Sequence, residues 1–529
     1  MKKKLISGIA GVVAVGAAVL LATPYFFGQR AQSVLDEQHQ ILKSSSYLSI
    51  DSRQYERGWF SSTETTVLRF NPTLLGNIQA YLPDNIKTVL NQPITVVNHI
   101  SHGPLVDFSL AAAHVESEFR YHPETEKVLK RFFGDQTPLQ VSNTIAFDGS
   151  GEVDLQIPAF DYEELSGIKL NWQGLSGSTQ YNRAWTQYEH DYRAPSLRAK
   201  LADKGDVAID NISFKADSET GADGIALGSS STQVGKFSVR WQEGIDYNFK
   251  LNELVQLITN LQIGAFINPT GTIAPSNIEV DDIKFDTQVK AVDQFINSEG
   301  RFQFAKLVYG KDTYGPLDID VAAEHLDPKG LAALKAAMAK IAAEKMSEEQ
   351  IQAALVQAAK GEAASLFTSN PQLKIRKFNF TTPQGKVAAD GILAFNGLQN
   401  NDLNDVASLL KKTQADIKLS LPQALLESIA ISQARSIFTV NPEDEAAGEA
   451  NIDDINETLR LMVDSTVKSM QGEGYLQFDN GQISTQIQIK NGEVQLNGKV
   501  FKTEAEPEFN EADFANSASA TSEVQASQP

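Results

Sequence analysis

The chain has 529 residues, 46 Lys or Arg against 66 Asp or Glu, a formal charge of −20 and no cysteine. That acidity argues against nucleic acid as a partner and against a body lying flat on anionic lipid. Without cysteine no disulfide can form, so stability rests on buried apolar area, which a chain beyond ~250–300 residues usually divides among more than one packed unit.

Lys2, Lys3 and Lys4 precede a stretch from Leu5 to Gln29 without one charged residue. About 20 apolar residues at ~1.5 Å each cover a bilayer core of ~30 Å, so the stretch reads as a transmembrane anchor. The lysines belong in the cytoplasm, with Tyr25, Phe26 and Phe27 at the far interface. A cleaved signal peptide is the rival reading, but its apolar core is typically ~7–15 residues and ends in a small-residue cleavage site. Arg30 to Lys43 then continues as a helix, with Val34, Leu35, Gln38 and Leu42 at helical spacing.

From Tyr47 to about Phe304 short alternating runs dominate, the pattern of an antiparallel sheet with one buried face. Val153, Leu155 and Ile157 share one side of their run, and Ile283, Phe285, Thr287 and Val289 share one side of theirs. Such strand density favours one large, curved or folded-over sheet. One helical piece interrupts it, with Leu254, Leu257, Ile258 and Leu261 on a stripe.

A stronger helix is expected from about Lys329 to Lys345, and Ser347-Glu-Glu-Gln350 resembles a capping box that starts a second one running to about Phe367. The last third is mixed. An alternating strand ends at Leu421 and Pro422 opens a helix, another helix runs from Asp453 to Met470, and a meander closes with Asn480-Gly481 and Asn491-Gly492 as tight hairpin turns. Three strand-to-helix passages, beginning at Tyr247, Leu317 and Asp416, echo one another weakly. Beyond Thr503 the acidic, Ala- and Ser-rich sequence reads as a disordered tail.

The expected fold class is therefore α+β: an N-terminal transmembrane helix, then a large antiparallel-sheet-rich body with a mid-chain helical hairpin and further helices in the last third. The segments are residues 1–29 (cytoplasmic start and anchor), 30–325 (strand-rich), 326–370 (hairpin), 371–502 (α+β region ending in the meander) and 503–529 (tail).

Reaction chemistry finds little support. His99 and His102 are three apart, which on a strand sends their side chains to opposite faces, and neither His114 nor His122 brings a ligand motif. Gly174–Ser178 and Gly228–Thr232 do not match the G-x-S-x-G elbow and read as loops between strands. No Walker A loop exists: Gly235-Lys236 and Gly498-Lys499 are followed by Phe and Val. The acidic pairs Asp281-Asp282, Glu348-Glu349 and Asp453-Asp454 have ordinary strand or helix-start readings. No catalytic residue, metal or cofactor is assigned.

The stretch Tyr55-Glu-Arg-Gly-Trp-Phe-Ser61, followed about forty residues later by Ile100-Ser-His-Gly-Pro-Leu105, then the mid-chain helices and the closing meander, resembles the bacterial YdgA-like family, a group with a domain of unknown function. The resemblance covers nearly the whole chain in order and singles out Tyr55, Arg57, Gly58, Phe60, Ser61, His102, Gly103 and Pro104. It implies a single-pass inner-membrane protein of Gram-negative bacteria with a periplasmic body, with self-association as an open expectation; it supplies no reaction. The family often has an acidic residue just before His-Gly-Pro, and here that position is Ser101. From the residues alone, Gly58 offers backbone freedom, Gly103-Pro104 redirects the chain, and Trp59 and Phe60 are expected to pack beside the strand or under its turn.

Three functions follow as expectations. The first is a non-enzymatic binding or scaffolding module held to the inner membrane through residues 5–29, with no nucleic-acid partner. The second is a lipid-binding protein with an apolar groove and an amphipathic helix as lid. The third, disfavoured, is an envelope hydrolase.

Overall fold

The computed structural model describes residues 23–43, 48–70, 87, 90–106, 109–241, 277–343, 348–438 and 452–501. The first 22 residues of the expected anchor, the stripe from Leu254 to Leu261, the passage from Tyr247, Ser347 of the capping box and the tail beyond Thr503 lie outside the described residues. No helix among the described residues is long and apolar enough to cross a membrane.

Helix α1 covers residues 23–43. The strands that follow are β1 (Leu48–Arg57), β2 (Ser61–Phe70), β3 (Ile94–His102), the short pair β4 (Leu105–Val106) and β5 (Ser109–Leu110), and β6 (Ala113–Tyr121). After α2 (Pro123–Phe133) come β7 (Gln140–Ile145), β8 (Gly151–Ile157), β9 (Phe160–Glu163), β10 (Ile168–Trp172) and β11 (Leu175–Tyr181). The longest strands are β12 (Gln187–Leu201), β13 (Gly205–Thr220), β14 (Ala226–Trp241) and β15 (Asn277–Val292). Then follow β16 (Phe295–Phe304), β17 (Lys306–Tyr309), β18 (Asp312–Tyr314) and β19 (Leu317–Leu326).

The hairpin is α3 (Pro328–Ala343) and α4 (Glu348–Lys360), with a short α5 (Ser365–Thr368). Strands β20 (Gln372–Thr382) and β21 (Gly385–Phe395), helix α6 (Val406–Lys412), strand β22 (Thr413–Pro422) and helices α7 (Gln423–Phe438) and α8 (Ile452–Gly472) lead to the closing strands. These are β23 (Gln477–Asp479), β24 (Gln482–Lys490), β25 (Glu493–Leu496) and β26 (Lys499–Val500).

All but β4 and β5 belong to one 24-stranded sheet. Its antiparallel path runs β1, β2, β3, β6, β7, β8, β11, β12, β13, β14, β15, β16, β19, β20, β21, β22, β24, β25, β26. Short excursions rejoin it: β10 pairs with the second half of β12, β17 with the first half of β15, and β23 with β24. The α+β reading thus holds as one sheet-rich body with eight α-helices among the described residues.

A line of interruptions crosses the long strands, where the pairings skip Pro195, Asn211, Gly235 and Asp282 one against one with the register kept on either side. Asn211 and Asp282 have φ of 56° and 55°, and a Cβ on Gly235 would sit 3.0 Å from that of Asn211. The left-handed residues break the regular extended backbone there, and Phe237, Val280 and Ile283 beside the line pack on the main core. That core holds Ile278, Phe304, Leu307, Tyr314, Leu317, Phe380, Val387 and, from α7, Leu425.

Several sequence expectations need correction. The second hairpin helix stops at Lys360 rather than near Phe367, because the chain turns after Gly361 to bury Ala363 and Ala364, and Ser365 Oγ donates to Asp327 Oδ2 at 2.7 Å. Pro422 ends β22, paired with Gln482, and the helix opens at Gln423. Leu175–Ser178 and Gly228–Thr232 lie within strands instead of loops, Ser176 and Ser178 sharing one face and Ser229, Ser230 and Ser231 alternating between the two. Helix α2 escaped notice although Pro123 in its first turn, acidic Glu124 and Glu126, basic Lys130 and Arg131, and Gly134 at φ 60° are ordinary helix-end signals. The Asn-Gly turns at 480 and 491 are as expected, all four residues having positive φ, and Asn497-Gly498 forms a third.

Candidate functional site

The two halves of the family motif meet because β2 and β3 pair with Ser61 opposite Ser101. Above them lies α1, which buries Ala31, Val34 and Leu35 against Ile100, Ala113, Val115 and Ile145, with Tyr55 half-buried alongside. Residues 23–29, placed by the sequence reading at the end of the anchor, are thus part of the body: Pro24 and Gly28 are buried, and Phe27 packs on the same cluster.

His102 is the centre of this dock. It is 6 % exposed, and a Cβ on Gly28 of α1 would lie 2.4 Å from its ring, so only glycine lets the helix settle there. Its Nδ1 lies 3.1 Å from the Trp59 carbonyl oxygen and its Nε2 2.9 Å from Ser62 Oγ. A carbonyl only accepts, so Nδ1 carries the proton and Nε2 accepts from the serine hydroxyl. Burial is the main cause that pushes the imidazole below its ordinary value; nearby Arg57 adds to it, while the carbonyls of Trp59 and Pro24 oppose it.

Each remaining motif residue has a place. The Arg57 guanidinium lies 5.2 Å over the Tyr25 ring, and Trp59 packs on Tyr25 at 5.1 Å. Gly58 donates to the Ser61 carbonyl at 2.9 Å and has an unremarkable φ; what it provides is room, since a Cβ would come within 2.6 Å of that oxygen. The Phe60 carbonyl accepts from the His102 amide at 2.8 Å. Gly103, joined to Pro104 by a cis bond, would put a Cβ 1.9 Å from the Ala111 oxygen. Trp59 and Phe60 are exposed at the turn, not packed beneath it, because α1 occupies the space over the strand.

Sequence reasoning missed the charged half of the dock. Ser62, Glu64 and Thr66 form the buried face of β2. The Glu64 carboxylate accepts from Arg53 Nε at 2.5 Å and from Asn98 Nδ2 at 2.7 Å, while Arg53 also reaches Asp36 of α1 at 2.6 Å. Alternation places Glu64 with Thr66 on one face, but only the register, which sets Arg53 opposite Thr66, brings the guanidinium diagonally onto Glu64. His99, by contrast, points outward to Glu118 at 3.3 Å, and Arg120 foremost holds the Glu118 carboxyl at about 2.

Ser62 and His102 have the spacing of a nucleophile and its base. Both are sealed under α1, and the second ring nitrogen faces a carbonyl where a triad would place a carboxylate. No group of three or more His, Asp or Glu that would hold a metal occurs among the described residues. The pair is therefore a tie between the motif and the helix.

Protonation should test that tie. The folded pKa of His102 lies below the unfolded one, so its contribution is fully present above ~6.5 and is lost as pH falls from there toward the folded value. His39 and His190 shift the same way, so the informative quantity is a difference. His102→Gln is expected to lower Tm at pH 8 and to show a shallower fall in Tm between pH 7 and pH 5 than the parent. Parallel slopes would contradict the assignment.

Further along the sheet, two rows one residue apart have opposite character. One reads Leu155, Gly177, Tyr192, Phe214, Thr232, Phe285, Phe302, Ile319, Phe378, Ala389, Leu419 across successive strands. The other reads Asp154, Ser178, Asp191, Lys215, Ser231, Asp286, Arg301, Asp320, Lys377. The polar face is tied by ion pairs such as Lys215 with Asp191 at 3.0 Å and Arg301 and Lys377 with Asp318 at 3.0 and 2.6 Å; Arg301 foremost holds the Asp318 carboxyl at about 2. On the apolar face Phe302, Ile319 and Phe378 pack on the main core, whereas Phe214, Phe285, Val321 and Leu373 remain 36–45 % exposed.

The molecule is therefore a long antiparallel meander with one charged and one apolar face, closed at its start by a helix docked on the motif. The chain belongs to a family of bacterial proteins of unknown function, DUF945, whose model matches residues 1–504. No curated protein and no solved structure matches it.

Proposed function

We propose that this chain is a membrane-tethered, non-enzymatic binding module whose ligand is an acyl chain laid along the apolar face of the sheet. The observation that supports it is the row from Phe214 through Phe285 to Ile319, where Phe214 and Phe285 stand exposed beside the closed core with Val321 exposed two residues beyond Ile319, while the opposite face carries charged and hydroxyl side chains. Soluble proteins rarely leave a contiguous apolar patch beyond a few hundred Å² without a use for it. From β13 to β19 the row crosses five neighbouring strands. At ~4.8 Å per strand that is ~19 Å, the reach of a long acyl chain, and each CH₂ buried contributes ~0.8 kcal/mol. The uncharged stretch from Leu5 through Ala22 would hold this face beside a source of such chains.

The test is a photocrosslink from p-benzoylphenylalanine at position 285 of the full chain in membranes. Phospholipid-mass adducts are expected. Adducts confined to residues 242–276 of the same chain, or to a second copy, would sink the proposal, because the face would then be covered by protein.

A further inference from the structure

We infer that the end of the body next to α1 is itself seated in the membrane interface, at the boundary between headgroups and acyl chains. The antiparallel order brings three connections to one end of the sheet: the β1–β2 turn, the β3–β6 connection with its β4–β5 pair, and the β7–β8 turn. Each presents large apolar side chains to solvent: Trp59 and Phe60, Leu105 and Leu110, and Phe147. Phe26 joins them from the start of α1 at 63 % exposure, and Leu110 reaches 78 %. The aromatic tips are tied together, since Phe27 of α1 packs on Phe147 at 5.1 Å, Tyr25 on both Phe26 and Trp59, and the His102 amide holds the Phe60 carbonyl, while Leu105 and Leu110 pair with each other in β4 and β5.

Two observations choose the occupant. Helix α1 enters at this end, so the uncharged stretch from Leu5 to Ala22 stops immediately before the cluster. A helix of that length would reach ~27 Å at ~1.5 Å per residue, close to a bilayer core, and would leave Tyr25, Phe26 and Trp59 at headgroup depth, where aromatic side chains concentrate. In a chain of charge −20, moreover, this end carries arginines. Arg30 binds the Asp148 carbonyl oxygen at 2.8 Å, Arg183 lies against Gly149, and Arg57 lies over Tyr25. Three guanidinium groups beside apolar tips suit phosphate headgroups above acyl chains. Acidic Glu56 and Asp148 also lie at this end, the Asp148 carboxylate accepting from Ser150 Oγ at 2.7 Å, so it is the apolar tips and the arginines that would meet the membrane, end-on.

This inference rests on the anchor half of the proposed function and is independent of the acyl-chain half. The full-length chain, reconstituted in phosphatidylglycerol and phosphatidylcholine vesicles, is compared with Trp59→Phe; Trp59 is one of four tryptophans, and the difference in emission isolates it. Lipids brominated near the headgroup are expected to quench that component, and lipids brominated at the chain ends to leave it bright. An unquenched Trp59 in a chain that resists alkaline extraction overturns the inference, a protein surface then being the occupant. Release of the chain by alkali overturns it together with the anchor, whereas the crosslink at position 285 reports on the acyl-chain face separately.

Discussion

Replacing Glu64 by alanine is expected to destabilise the fold by about 3 kcal/mol, the lower end of the ~3–5 kcal/mol typical when one member of a buried pair is removed. The carboxylate side chain is 6 % exposed and Arg53 18 %, so removing the acid leaves a guanidinium with no water to replace it. The lower figure applies because Arg53 keeps Asp36, which is half exposed. Asn98 loses an acceptor too, while its Oδ1 still accepts from Ser117. The double replacement Arg53→Met with Glu64→Leu should recover most of the loss, because an apolar pair of similar volume requires no desolvation of charge. The Tm of the three proteins checks this; a double variant no better than Glu64→Ala would show that the pair organises α1 in some way beyond its charge.

The second large effect contrasts two phenylalanines on one face of the sheet. Phe380 is fully buried, edge-on to Phe304 at 6.1 Å and parallel to Tyr314 at 6.0 Å, between neighbours Leu317 and Val387. Phe380→Ala is expected to cost ~3–5 kcal/mol, since Phe-to-Ala changes in closed cores lose both transfer energy and packing around a cavity. Phe285 is 45 % exposed, so Phe285→Ala should cost well under half as much, roughly 1 kcal/mol. Lipid recovered with the purified protein should behave oppositely, falling for Phe285→Ala although its Tm drops far less than that of Phe380→Ala. Native mass spectrometry with thermal unfolding reads both quantities. Equal destabilisation by the two substitutions would mean that the apolar face is simply core, and would remove the support for ligand binding.

Much of the architecture was legible because its causes are local. Alternation along Val153–Ile157 and Ile283–Val289 is a property of each strand, the three-and-four spacing in α3 is a property of that helix, and Asn480-Gly481 meets the backbone demand of its own turn. Boundaries failed where a distant contact decided them. Helix α4 stops early because Ala363 and Ala364 are buried nearby and Ser365 binds Asp327, none of which the Ala-rich run announces. At the motif, sequence reading selected His102 and Gly58 but assigned Gly58 the wrong role, because its constraint is an oxygen across a turn and not its own φ. Ser62, Glu64 and Gly28 were missed for a similar reason: each matters through a partner between 11 and 74 positions away, Arg53, His102 or the helix above.

What the sequence alone determined, then, is the class of most elements and the two-sidedness of the sheet, since a period of two is written into its long strands. What only the tertiary structure decided is register. Pairing set Phe214 in line with Phe285, Phe302 and Ile319, and Lys215 in line with Asp191 and Asp286. A slip of one residue would exchange those faces. It also brought the two halves of the motif together beneath α1, because hydrogen bonding between strands acts over distances in the chain that no local pattern records.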